Sequence, residues 1–419
     1  MREGWKTAKL SELCDIQLGK TPARANSSYW DQERSTGNVW LSIADLLKSE
    51  ANNVSDSKEY LSDKGAKLCK IVKKGTLLVS FKLTLGRVAF AGKDLYTNEA
   101  IAALTIHDEQ IINRDYLFYF LHFFDWVKAA QDDVKLKGMT LNKAKLKEIL
   151  VVVPPLPEQK RIVAILDEAF ASIDTAVANT EKNLANAREL FESYLNAVVD
   201  TAFRKSTVTV LSDLAEEITD GDHMPPPKAP SGVPFITIKN IDKRTRKVDF
   251  ENTFRVPRSY FEGLKPNKRP RKGDVLYTVT GSFGIPVVVG QKTEFCFQRH
   301  IGLIRPKSGT DSSWLYYLLM SPQIFAQATD GATGTAQKTV SLKVLRSFRV
   351  PTIPLDQQVD NVQQLDNLLA DVEGLESIYR QQLRNLGELK QSLLQKAFSG
   401  ELTAGKAASD AMRQVEEIA

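Results

Sequence analysis

Pro155-Leu156-Pro157-Glu158-Gln159 opens a long helical pattern in the middle of this chain, and Pro354-Leu355-Asp356-Gln357-Gln358 opens a second one 199 residues later (155 to 354). The two patterns share a frame: Leu166-Asp167 aligns with Leu365-Asp366, and Leu184 with Leu383. Solenoid repeats run about 20–50 residues, so this period is too long for one. It reads as a tandem duplication of a whole unit, a globular domain followed by a long helix. Pro157 fits a first helical turn, where its missing N–H costs nothing, and Glu158 suits the positive end of the helix dipole.

From that start Leu166, Phe170, Ile173, Val177, Thr180, Leu184, Ala187, Phe191, Tyr194 and Val198 recur at alternating spacings of four and three, a heptad seam. The second copy carries Leu365, Leu368, Val372, Leu375, Tyr379, Leu386, Leu389 and Leu393, and Gly400 suits its stop. Gly374 and Gly387 weaken it by up to about 1 kcal/mol each. Each helix is expected to run for roughly 40 residues, about 60 Å. Neither apolar stripe is stable in water alone, so the two helices are expected to pack on each other. Either orientation is within reach; an antiparallel pair would relate the globular units by a pseudo-two-fold axis.

Outward from the helices, the globular segments match in order. Leu10-Ser11-Glu12-Leu13 corresponds to Leu211-Ser212-Asp213-Leu214, and Trp40-Leu41-Ser42-Ile43 to Phe235-Ile236-Thr237-Ile238. Lys74-Gly75-Thr76-Leu77 corresponds to Lys272-Gly273-Asp274-Val275, Asn98-Glu99-Ala100-Ile101 to Gln298-Arg299-His300-Ile301, and Tyr116-Leu117-Phe118-Tyr119 to Trp314-Leu315-Tyr316-Tyr317. Runs 76–81, 88–91, 274–280 and 286–289 read as strands; 113–131 and 312–328 read as helices, and 142–148 and 341–346 as short helices or turns. The expected class is α+β: a first globular domain (1–155), a helical spacer (156–205), a second globular domain (206–355), and a C-terminal helix with tail (356–419). The apolar framework repeats while the polar residues between change, which is one fold carrying two surfaces.

Charge divides along the same lines. Residues 1–155 hold 23 Lys/Arg against 19 Asp/Glu (+4) and residues 206–355 hold 21 against 13 (+8), while the helical segments come to −2 (6 against 8) and −5 (6 against 11). Basic globular parts fit a polyanion, since each neutralised phosphate releases counterions. No run of 18 apolar residues suggests a membrane span, no apolar signal core opens the chain, and three scattered cysteines suit a reducing cytoplasm.

No catalytic motif stands out. Asp222-His223-Met224-Pro225-Pro226 lacks the adjacency and the aromatic of an adenine-methyltransferase motif. The string from Gly400 to Ala407 ends in Ala where a phosphate-binding loop needs Ser or Thr. Four histidines and three cysteines show no metal spacing.

The junction string Pro155-Leu156-Pro157-Glu158-Gln159-Lys160-Arg161-Ile162-Val163 after Val151-Val152-Val153 resembles that of the specificity subunits of Type I restriction–modification systems. Ile218-Thr219-Asp220-Gly221-Asp222-His223, Gly19-Lys20-Thr21-Pro22, Ser80-Phe81-Lys82-Leu83-Thr84-Leu85-Gly86 and Lys396-Ala397-Phe398-Ser399-Gly400-Glu401-Leu402 are similar to further family segments. The resemblance implies two target-recognition domains, each reading one half of a split, asymmetric site in double-stranded DNA, and an antiparallel coiled coil acting as a ruler. It implies methyltransferase subunits as partners, two of them, and restriction subunits through these. The chain itself would hold no catalytic centre and no cofactor; S-adenosylmethionine, ATP and Mg would sit on the partners. A helical adaptor whose domains bind protein and not DNA is the competing class.

DNA reading needs phosphate anchors and side chains that can hold base edges. In the second domain the candidates are Asp222, His223, Lys239, Asn240, Thr280, Ser282, Gln298, Arg299, His300, Thr335 and Lys338. In the first they are Lys20, Thr21, Arg24, Lys82, Thr84, Arg87 and Lys137. For any one of the lysines and arginines, solvated loop charge is the competing role.

Overall fold

The computed structural model describes residues 4–48, 52–130, 134–135, 138–290, 294–335 and 337–404, of which 134–135 and 138–140 by backbone alone. The chain divides into two compact units: Met1–Glu181 with Gln381–Ala419, and Lys182–Arg380. Each unit thus joins one globular segment to part of both long helices.

In the first unit, a five-stranded sheet has the order Cys14–Leu18, Ile101–Ile106, Leu77–Ser80, Val88–Ala91, Asn53–Val54. Leu77–Ser80 and Val88–Ala91 are buried throughout, because both sheet faces are covered, and so they read as continuous apolar runs. A smaller sheet places Val39–Leu41 between Glu59–Tyr60 and Tyr96–Thr97. Lys6–Lys9 pairs antiparallel with Leu150–Val153, the strand that leads into the junction.

The second unit repeats this with a strand fewer. Its main sheet has the order Ala215–Asp220, Ile301–Pro306, Val275–Thr278, Pro286–Val288, and Val233–Ile236 lies between Arg255–Val256 and Cys296–Phe297. Thr207–Val210 pairs with Arg349–Thr352. The helices expected over 113–131 and 312–328 are each broken in two. Arg114–Phe123 stops before Asp125, whose carboxylate caps Trp126–Ala129. Ser312–Met320 stops at Ser321, which caps Pro322–Gly331 with Pro322 in its first turn, where proline starts a helix but does not continue one.

The long helices span Leu156–Lys205 (50 residues) and Leu355–Ser399 (45 residues), longer than the roughly 40 expected. Both begin with the same clamp. Gln159 is fully buried; its Oε1 accepts Asn113 N–H at 2.7 Å, and its Nε2 donates to Ile111 O at 2.9 Å and Pro154 O at 2.8 Å. Gln358 repeats the set on Asp311 N–H, Gly309 O and Ile353 O at 2.7, 3.0 and 2.9 Å. The glutamine of the junction string therefore ties strand, helix cap and long helix together, and the Tyr119–Asp167 and Tyr317–Asp366 hydrogen bonds repeat one level further along.

Within the first unit the helices run antiparallel: Lys390 bonds Asp174 and Thr403 bonds Glu158. Within the second they do so again, with Arg188 Nε on Glu376 Oε1 at 2.7 Å and Tyr194 OH on Gln364 Oε1 at 2.6 Å. Leu166, Ile173, Leu386, Leu389 and Leu393 are buried in the first unit, and Phe191, Leu365 and Val372 in the second. The seam differs from the expected one elsewhere. Phe170, Val177, Leu184 and Leu368 are only half-buried flanks, and the inner line is Ala169, Ala176, Leu195 and Val199. Small alanines admit a close helix approach that bulkier neighbours then cover. Leu375 faces out, because Glu376, held by Arg188 and Arg380, takes the inward flank. Thr180 is tolerated in the seam because its hydroxyl donates to Ala176 O, one turn back, at 2.7 Å.

Candidate nucleic-acid interface

Strand register brings most of the predicted side chains to one end of each main sheet. In the second unit Asp220 pairs with Gly302 and Thr278 with Ile301, so the segments after Asp220, after Thr278 and before Ile301 leave the sheet side by side. Asp222 forms a parallel bridge with Gln298, and Thr280 an antiparallel one with Thr339. These contacts gather Asp222, His223, Thr280, Ser282, Gln298, Arg299, His300 and the segment bearing Lys338. Thr335 is exposed on the same hairpin. In the first unit Leu18 pairs with Ala102, Ser80 with Ile101, and Lys82 with Thr140. Lys20, Thr21, Lys82, Thr84 and Arg87 therefore leave from the corresponding end. Lys137 lies outside the described residues.

The same backbone bonds hold both ends. Lys20 N–H donates to Thr97 O at 2.9 Å and Asp222 N–H to Phe297 O at 3.0 Å; Asn98 N–H donates to Leu41 O and Gln298 N–H to Ile236 O. Phe81 N–H donates to Ala100 O and Val279 N–H to His300 O. Gly19 and Gly221 permit the close approach: a Cβ on Gly19 would lie 2.2 Å from Asn98 O, and one on Gly221 1.9 Å from Phe297 O. The hairpin tips match as well. Ser80 Oγ donates to Thr84 O at 2.6 Å and Thr278 Oγ1 to Ser282 O at 2.8 Å. An aromatic ring, Trp126 or Phe325, lies against the left-handed Gly86 (φ +75) or Gly284 (φ +89).

Several candidates are engaged inside the fold. Arg24 grips Glu59 with both guanidinium nitrogens and stacks 4.4 Å over Trp30 and 4.7 Å over Trp40. Arg87 Nη1 donates to Ile43 O at 3.1 Å. Asn240 is buried; its Oδ1 accepts from Thr237 N–H and Oγ1, and its Nδ2 donates to Asn252 O. Lys239 next to it is exposed, just beyond the Ile236 carbonyl that receives Gln298 N–H. Thr280 is buried, while Lys20, Thr84, His223, Arg299 and Lys338 are exposed.

Tyr260, which the sequence does not single out, joins the cluster. The Tyr260 hydroxyl binds Asp222, and burial first, then that carboxylate, pushes its pKa above the usual phenol range. Lys268 Nζ donates to Gly221 O at 3.0 Å and lies 3.8 Å from Asp220 Oδ1, and His223 Nε2 lies 2.8 Å from Asp220 Oδ2. Thr21 bonds Glu99 in the first unit. Tyr260 sits 38 residues from Asp222 in sequence, so no local pattern points to it. Burial, then Arg299, lowers the His300 pKa and favours a neutral imidazole.

Among the described residues no group of three or more His, Cys, Asp or Glu could hold a metal ion, and no helix is long and apolar enough to cross a membrane. All three cysteines are unpaired. Burial pushes the Cys14 and Cys296 thiols up to about 12, which keeps them protonated and unreactive.

A family model described as the Type I restriction modification DNA specificity domain matches twice, over residues 2–186 and 200–382. The specificity subunit of the Type I restriction enzyme EcoBI of Escherichia coli is 23% identical over 73% of this chain and 69% of that protein. The corresponding EcoDI subunit, also of Escherichia coli, is 21% identical over 96% of this chain and 89% of its own length. The MjaIX specificity subunit of Methanocaldococcus jannaschii is 25% identical over 52% of this chain and 49% of that protein. Two solved structures share the fold. One, from work on complex assembly and conformational transition of the type I R-M system, has TM-score 0.73 and 19% identity, with 96% of this chain and 99% of that one covered. The other, the HsdS subunit from Thermoanaerobacter tengcongensis, has TM-score 0.54 and 18% identity over 96% and 98%. With both repeats matched along most of their length, the chain belongs to the DNA-specificity subunit family of Type I restriction–modification systems and carries two of its recognition domains in tandem.

Proposed function

We propose that each globular domain reads one half of a split, asymmetric DNA site through the loops at the end of its main sheet, and that the paired helices fix the spacing between halves. The observation that carries this reading is that the backbone of the two sheet ends repeats bond for bond while the side chains on it do not. A conserved frame with divergent polar loops suits two different base sequences, the base contacts specifying and the surrounding lysines positioning. The chain is catalytically silent in this reading. Two methyltransferase subunits dock on the acidic helical parts, a restriction subunit joins through them, and S-adenosylmethionine, ATP and Mg belong to those partners in the cytoplasm.

Co-expression of this chain with its methyltransferase subunit, followed by mapping of methylated adenines across a genome, tests the reading. A split motif with unlike halves is expected. A single continuous motif, or methylation without sequence preference, contradicts it. Affinity for duplex DNA should also fall steeply with salt, by the counterions released from each neutralised phosphate; a flat salt response contradicts DNA reading by these domains.

A further inference from the structure

The repeat allows a residue-by-residue comparison at a loop whose backbone is fixed from three sides. Residues 98–100 and 298–300 hang from equivalent hydrogen bonds. The N–H of Asn98 or Gln298 donates to the small sheet, and the carbonyl of Ala100 or His300 accepts from the hairpin strand. The turn is closed by Ile101 N–H on Asn98 O and Ile301 N–H on Gln298 O, at 3.2 and 3.0 Å. Position 99 is thereby equivalent to 299, and it is the exposed residue of the three; Ala100 is buried, and Asn98 and His300 are half-buried.

The charges on this frame are inverted. The first unit carries Lys20 on one segment and Glu99 on the loop; the second carries Asp222 and Arg299 at the same places. Glu99 is oriented by the Thr21 hydroxyl and keeps acceptor capacity free. Among the described residues the Arg299 guanidinium has neither an ion-pair nor a hydrogen-bond partner, although Asp222 lies beside it and its own N–H donates to Asp222 O at 3.1 Å; that carboxylate is taken by Tyr260. Arg24, Arg258, Arg269 and Arg305, by contrast, are all held by protein groups.

We propose that position 99/299 is the base-specifying position of this loop in both domains, with opposite chemistry. This rests on the DNA-reading function above. Glu99 accepts from the exocyclic amino group of a cytosine in its half-site, and Arg299 donates both fork nitrogens to O6 and N7 of a guanine in the other. A carboxylate offers only acceptors and a guanidinium only donors, so each matches one of those major-groove patterns and is rejected by the other. The rigid backbone beneath is what such a contact requires, since a reader must be held to a fraction of an ångström.

The test uses the full chain with its methyltransferase subunit, wild type and variant, with methylated-site mapping and competition between duplexes differing at one base pair. Residue 99 belongs to the half that changes when residues 1–155 are exchanged. Glu99→Gln is expected to move preference at one position of that half from cytosine toward adenine. Arg299→Ala is expected to abolish a guanine preference of about 5- to 150-fold at one position of the other half. Arg299→Lys should keep overall affinity and salt dependence yet lose most of that preference, because the fork is gone while the charge stays. Glu99→Gln is near-isosteric, and Arg299→Lys keeps charge and aliphatic stem at an exposed position, so they carry the test if Arg299→Ala does not assemble. Unchanged base preferences in both, or equal weakening on every sequence, overturn the proposal while leaving a split wild-type motif intact. A wild-type complex without a split motif sinks the underlying reading instead.

Discussion

Cross-strand neighbours at matching positions of the two main sheets make the sharpest contrast between the recognition domains. In the second, Arg305 and Asp274 form a buried bidentate pair, Nε to Oδ1 at 2.9 Å and Nη2 to Oδ2 at 2.8 Å. In the first, the positions that continue the same register are Thr76, half-buried, and Thr105, exposed. The third guanidinium bond of Arg305, to Arg269 O at 3.1 Å, and the Asp274 bond from Arg271 N–H anchor the basic segment 265–272; its first-domain counterpart 67–74, with Lys67, Lys70, Lys73 and Lys74, is basic too but lacks such an anchor. The backbone of the fold is therefore indifferent to how this site is filled. What the ion pair adds is a fixed backbone position for Arg269 and Arg271.

The largest expected effect breaks that contrast directly. Arg305→Thr alone should destabilise the second domain by about 3–5 kcal/mol, because Asp274 is left buried and uncompensated. Combined with Asp274→Thr, which copies the first domain, most of that loss should return; denaturant midpoints of the single and double variants decide it. A double variant as unstable as the single one would falsify the idea that the frame tolerates either filling.

The helices offer a second comparison, between seam positions that look alike in sequence. Leu386→Ala should cost about 2–5 kcal/mol as a core truncation. Leu375→Ala should stay within about 0.5 kcal/mol, as an exposed position does. Equal losses in thermal or chemical unfolding would contradict the seam described above. Between these in size come the two junction glutamines: Gln159→Leu and Gln358→Leu each strand one buried N–H and two carbonyls, for about 1–3 kcal/mol. Similar losses at both junctions are expected, and a loss at only one would show that the clamps are not equivalent.

Much of this was legible in the sequence. Repeated junctions, apolar strand runs and the heptad frame located two strands of each main sheet and both long helices. The polar loops between paired strands picked out segments that the fold gathers at one end of each main sheet. What stayed hidden were contacts set by tertiary geometry. Arg24 looks like a phosphate anchor until Glu59, Trp30 and Trp40 are seen to hold it. Asn240 looks like a base reader until its amide is found closing a turn. Ala169 and Ala176 carry too little apolar signal to outrank Phe170 and Val177, yet they form the inner line of the seam. Glu99 carries no sequence signal of DNA contact, because an acidic side chain repels phosphate; only the frame shared with Arg299 brings it out.

The central claim, one frame reading two half-sites across a helical spacer, is most directly tested by lengthening that spacer. Seven residues, two helical turns, are inserted at matching levels of both long helices, and the methylated sites of the complex are mapped. The account predicts that the unread gap between half-sites changes length while the bases of both halves stay the same. An unchanged gap, or altered bases in either half, would contradict it.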